Sequence, residues 1–168
     1  MLHPMVIHLP LGLMFLVPII LILIWRKNQE NSEINLFDSD LWKILIIVLA
    51  LMTVGSMFSM MTGEHDEDIV EKIIQEDIIE THEGLAKVFT ISVVFLFAGS
   101  IVVAFLKGAL RQKLTLFILA LSVLVIIIGG FTGKKGGELV YQHKAADAFG
   151  AKAGDLDRRQ IKIKDDDD

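Results

Sequence analysis

Four stretches, residues 5–25, 41–61, 85–106 and 114–131, are almost wholly apolar and 18 to 22 residues long, and they constrain this chain more than anything else in it. At 1.5 Å of rise per residue, a helix of that length crosses most or all of a hydrocarbon layer roughly 30 Å thick. Backbone surrounded by lipid must satisfy its own hydrogen bonds, which a single apolar run achieves by becoming a helix. The expected fold is therefore all-α, a four-transmembrane-helix bundle over residues 1–143 followed by a polar C-terminal tail, 144–168. Hydrophobic residues make up 53% of the chain, in keeping with a protein whose solvent is the bilayer.

The first apolar run is followed, not preceded, by its basic residues Arg26 and Lys27, so it reads as a retained span rather than a cleaved signal. The connections after spans 1 and 3 carry Lys and Arg, including Lys107, Arg111 and Lys113. The connection 62–84 carries nine Asp or Glu against the single Lys72. This bias places the basic connections in the cytoplasm and both termini on the non-cytoplasmic side of a bacterial-type inner membrane. Lys134 and Lys135, just past span 4, run against it. Within the acidic connection, Ile69, Val70, Ile73, Ile74, Ile78 and Ile79 recur at spacings of three and four, which predicts a short extramembrane helix with an apolar stripe. Trp25 and Trp42 read as interface anchors, and the closing Asp165 to Asp168 as a solvated end.

With four alternating spans, all five histidines fall at one end of the bundle: His3 and His8 open span 1, His65 follows span 2, His82 precedes span 3 and His143 follows span 4. An imidazole inside the first apolar turn, such as His8, is costly to desolvate unless it has a partner. Glycines share the asymmetry. Spans 2 and 4 both leave the membrane through Thr-Gly, at Thr62-Gly63 and Thr132-Gly133, the second followed by Gly136 and Gly137. Small residues let helices approach closely. They would also let a planar cofactor or a metal-bearing loop reach the backbone. Spans 1–2 and 3–4 form two hairpins of the same pattern, as an internal duplication would.

The opening His3-Pro4-x-x-Ile7-His8-x-Pro10-x-Gly12, the Thr62-Gly63 exit, His82, and the segment GGFTGKKGGELVYQH ending at His143 together resemble DUF2231, a family of predicted four-helix membrane proteins. Gly136, Gly137, Leu139, Val140, Tyr141 and His143 form the most specific part of the resemblance. Members commonly carry Gly after that histidine, where this chain has Lys144. The family's fusion to c-type cytochrome domains and its occurrence in respiratory settings imply a redox context.

A chain without cysteine has no disulfide, no thiolate metal site, no iron–sulfur cluster and no covalent haem. The leading expectation is a membrane electron-transfer module holding haem b between His8 and His82, with His3 and His143 as the second choices. The alternatives are a zinc or copper site drawing on His3, His8, His65, His82 and His143, or a scaffold subunit recruiting an external redox partner. Expected partners are the lipid bilayer, a quinol or an external cytochrome, and a second copy as homodimer, with no nucleic acid. No catalytic constellation stands out. Methionines 52, 57, 60 and 61 read as packing residues, and Ser56, Ser59, Ser92 and Ser100 as bonded within their own helices.

Overall fold

The computed structural model describes residues 3–30 and 35–150, and the expectations for the tail beyond residue 150, including its terminal Asp run, lie outside the described residues. Four helical stretches are long and apolar enough to cross a membrane: His3–Gln29, Asp40–Val70, Glu76–Ala104 and Gly108–Tyr141. The chain is a multi-pass membrane protein with an all-α fold. Each span packs on two others: spans 1 and 3 both lie against spans 2 and 4 and stand diagonal to one another.

Span 1 is built from three pieces: α1 (His3–Val6), α2 (His8–Leu13) and α3 (Leu16–Glu30). The interruptions follow from proline. Pro10 and Pro18 lack the N–H that would bond the carbonyls of Val6 and Met14, and the helix breaks beside those positions. A short 3₁₀ turn, Leu36–Asp38, precedes span 2 and starts with the Asn35 side chain accepting from the Phe37 N–H at 3.2 Å.

Spans 2 and 3 are the uninterrupted helices α4 (Asp40–Val70, 31 residues) and α5 (Glu76–Ala104, 29 residues). The acidic stretch forms no separate helix of its own. It is divided between the end of α4 and the start of α5, which meet in a turn at residues 71–75. A 31-residue helix is about 46 Å long, well beyond the hydrocarbon layer, so α4 carries its acidic end out of the lipid. The apolar stripe has a use nonetheless. Ile74 and Ile79 are buried with Leu139 and Ala145, and Val70 and Ile78 pack on this second, smaller core.

Span 4 is α6 (Gly108–Tyr141), 34 residues long. Its buried positions Arg111, Thr115, Ile118, Ser122, Val125, Gly129 and Thr132 alternate steps of four and three, the seam of a left-handed bundle packed at a small crossing angle. The hydroxyls on that seam bond their own helix: Thr115 Oγ1 donates to the Arg111 carbonyl at 2.9 Å, Ser122 Oγ to Leu119 at 2.7 Å and Thr132 Oγ1 to Ile128 at 2.9 Å. Ser56 and Ser92 behave as expected, donating to Thr53 and Val88. Ser100 is fully buried with no partner for its hydroxyl. Trp42 is also buried, filling the core rather than anchoring at the lipid interface. Met52 lies in the core, while Met57 and Met61 face outward.

At the end of α6, the N–H groups of Gln142 and His143 both donate to the Glu138 carbonyl, at 2.9 and 3.1 Å. The chain then reverses at Lys144, whose φ of 54° lies in the left-handed region. Residues 145–150 are helical and seat Ala145 and Ala148 against the bundle. A side chain bearing a Cβ is strained at such a φ, so Lys144→Gly should preserve the turn and stabilise the protein by about 0.5–1 kcal/mol. Thermal unfolding in detergent reads this directly, and a loss of stability would show that the lysine side chain makes a compensating contact.

Candidate functional site

The apolar core fills the middle of the bundle but stops short of the histidine end. A partly enclosed cavity of about 390 Å³ remains there. All four spans wall it. Span 1 contributes His3, Pro4, Ile7, His8 and Leu11, and α4 contributes Met60, Gly63, Glu64, Asp66, Glu67 and Val70. From α5 come Ile79, His82, Glu83 and Ala86; α6 and the helical stretch after it complete the wall with residues from Thr132 to Phe149. The lining is mostly apolar, and its polar groups gather where the spans' apolar runs end.

The two inner imidazoles occupy equivalent seats. His3 Nδ1 donates to the Ser59 carbonyl at 2.8 Å, with Ser59 Oγ 3.3 Å from the same nitrogen, and the ring lies on Gly63 four residues further along α4. A Cβ at Gly63 would stand 3.2 Å from His3 Nδ1. On the other side of the bundle, His82 approaches the backbone of Thr132 and lies on Gly136, again four residues further on, where a Cβ would stand 3.1 Å from its Cε1. In each hairpin, then, the histidine of the odd span rests on a carbonyl and on the glycine one turn later in an even span. Gly63 of the Thr62-Gly63 exit and Gly136, three residues past Thr132-Gly133, make room for the protein's own imidazoles.

Across the bundle diagonal the two rings meet edge to face, with centroids 6.1 Å apart and planes at 85°. His82 Nδ1 is buried without a partner. At the rim, Lys87 pairs with Glu83 at 2.9 Å, while Lys134 and Lys135 both engage Glu138, at 3.9 and 2.6 Å. Such partly exposed pairs contribute little stability, but they determine which charges are left facing the cavity.

Of the five histidines, the structure therefore joins His3 with His82. The expected pair of His8 with His82 does not form. His8 is exposed at the cavity rim, and its Nδ1 donates to the Pro4 carbonyl one turn back. His65 is exposed on the extension of α4 and His143 lies beyond the end of α6, neither of them in the cavity wall. Among the described residues, no group of three or more His, Cys, Asp or Glu side chains is placed to hold a metal ion. This overturns the expectation of haem b and of zinc or copper. The electron-transfer module loses its redox centre. The histidines share one end of the bundle, but helix phase and the proline breaks of span 1 point them in different directions.

The His3–Ser59 bond also ties the four-residue α1 to the long α4. His3→Ala should free the first turn of span 1, at a cost of about 1 kcal/mol, the usual net value of one such bond. Hydrogen exchange at residues 3–7 should then rise while exchange along α5 stays unchanged; unaltered protection of the first turn would show that packing alone holds it.

The sequence reading missed Arg111, treated there as one of the loop cations. It is 2% exposed at the opposite end of the bundle, and its Nε donates to the Leu106 carbonyl at 2.6 Å. Its place on the four-three seam of α6 was the available signal.

No curated protein and no solved structure matches the chain. Residues 1–148, a length that includes the whole cavity wall apart from Phe149, match the family model described as predicted membrane protein (DUF2231), and the chain belongs to that family.

Proposed function

We propose that this membrane protein binds one small, predominantly apolar molecule bearing a polar head, in the cavity at the histidine end of its bundle. The cavity itself carries the reading. A volume of about 390 Å³ falls within the range of small-molecule sites, and so does a lining that is apolar apart from a few converging polar groups.

His3 and His82 are the residues we assign to the polar head, with His8 at the rim. His3 spends Nδ1 on Ser59, so Nε2 is its remaining hydrogen-bonding atom. The unpartnered Nδ1 of His82 is the kind of buried group that a ligand's donor or acceptor would satisfy.

The test is native mass spectrometry of the full chain extracted from its own membrane, beside Gly137→Trp. Gly137 lines the cavity, and a Cβ there meets nothing within 4 Å, so α6 accepts a side chain that occludes the space. The wild-type protein should carry a small-molecule adduct that the variant loses at unchanged thermal stability. A wild type without adduct, or equal occupancy in both, would overturn the proposal.

A further inference from the structure

Resting on that reading of the cavity, the charge of its wall goes further and fixes the class of ligand. Four carboxylates, Glu64, Asp66, Glu67 and Glu83, belong to the lining, and among the described residues no lysine or arginine does. Lys87 pairs with Glu83 and its field also reaches Glu64 and Glu67, one positive charge against four negative ones. The cations nearest in sequence on α6, Lys134 and Lys135, share the one carboxylate of Glu138, and all three lie outside the lining. Glu67 stands moreover in the field of Glu83, Glu71 and Asp68, opposed in part by that of Lys87. Phe149 lines the same cavity, and Tyr141, 85% exposed, stands at its rim; aromatic faces attract ammonium groups.

We infer that the cavity selects a lipophilic cation: an ammonium or amine head held among the carboxylates and aromatic rings, with its apolar body against the apolar wall below. An anionic head, as on a fatty acid or a phosphate ester, meets four like charges, against which Lys87 is a single positive charge already paired with Glu83. A neutral head gains nothing from them. Low-dielectric walls concentrate a field of one sign, and this favours the cation both in the encounter and in the bound state.

The experiment uses the full chain in nanodiscs of zwitterionic lipid and a matched trio of probes: phenyltrimethylammonium, its neutral isostere tert-butylbenzene, and benzenesulfonate. Binding is followed by saturation-transfer NMR, with empty nanodiscs subtracted to remove partition into lipid. The ammonium should bind about tenfold or more tightly than the isostere, and the sulfonate most weakly. Raising the salt from about 20 mM to about 500 mM should erode the preference, because the rim is open to solvent and screened. The double variant Glu64→Gln, Glu67→Gln should bring the ammonium down towards the affinity of its isostere, with folding checked by thermal unfolding. Equal binding of ammonium and isostere, or preference for the sulfonate, overturns the cation inference and leaves the cavity reading standing. Failure of all three probes, together with the absence of an adduct in the native protein, overturns both.

Discussion

Gly129→Val should destabilise the bundle by about 2–3 kcal/mol, while Gly130→Val, one residue along the same helix, should leave its stability nearly unchanged. A Cβ at Gly129 would stand 2.7 Å from Met14 Sδ, 2.9 Å from Phe89 Cε2 and 3.3 Å from Leu11 Cδ2. The thioether can swing aside, because methionine is flexible. The Phe89 ring cannot, being 1% exposed and packed in the core. The valine therefore forces span 4 away from spans 1 and 3 along a seam whose close approach is its main source of attraction, since lipid removes the hydrophobic drive between helices. At Gly130 a Cβ meets nothing within 4 Å. Unfolding titrations of both variants in mixed detergent measure the difference, and equal losses would mean that backbone flexibility rather than packing explains the glycine pair.

That pair shows what hydropathy reads well and what it does not. The four spans were legible because the apolar runs have membrane length, and every one of them is helical in the structure. The ends of the helices were not. Hydropathy marks where lipid stops, whereas a helix stops where its backbone turns, so the acidic residues 62–70 and 76–84 continue α4 and α5 instead of forming a separate unit. Nor did the apolar runs reveal which face is inward, because lipid-facing residues are as hydrophobic as core residues. Phe95 and Phe117 are exposed while Phe89 is buried, and composition does not distinguish them.

The site was legible to the same depth. One-sided placement brought the histidines to a common end, and the repeated Thr-Gly marked where α4 and α6 admit a neighbour. The partnership of His3 with His82, however, depends on rotation about each helix axis, and the prolines of span 1 break the regular 100° step that would have predicted it. A tally of imidazoles was then read as a ligand set. In the structure two of the rings pack against each other, one bonds its own helix, and two point elsewhere. Lys144 is the reverse case: it stands where the resembled family commonly has glycine, and it adopts a left-handed turn at a strain cost.

Arg111→Ala should cost about 3 kcal/mol, on a par with the disruption of a buried, bonded charge and far more than the loss of a loop cation. Spans 3 and 4 are joined by residues 105–107 alone, where the Phe105 and Leu106 N–H groups donate to the Val102 and Val103 carbonyls, each at 3.1 Å. The Arg111 guanidinium reaches back from the first turn of α6 to the Leu106 carbonyl, and its backbone carbonyl receives the Thr115 hydroxyl. Truncation removes the donor to the turn and opens a space at a position that is 2% exposed. Arg111→Lys should recover less than half of the loss, because an ammonium is more strongly hydrated and lacks the planar set of donors that Arg presents. Lys107 and Lys113 flank it in sequence but are exposed, and their replacement by alanine should change stability by less than about 0.5 kcal/mol. If Arg111→Ala were as mild as these, the guanidinium would belong to the headgroup layer and the turn would be held by its backbone alone. The difference between the three cations separates a charge that orients the chain in the membrane from one that closes a hairpin.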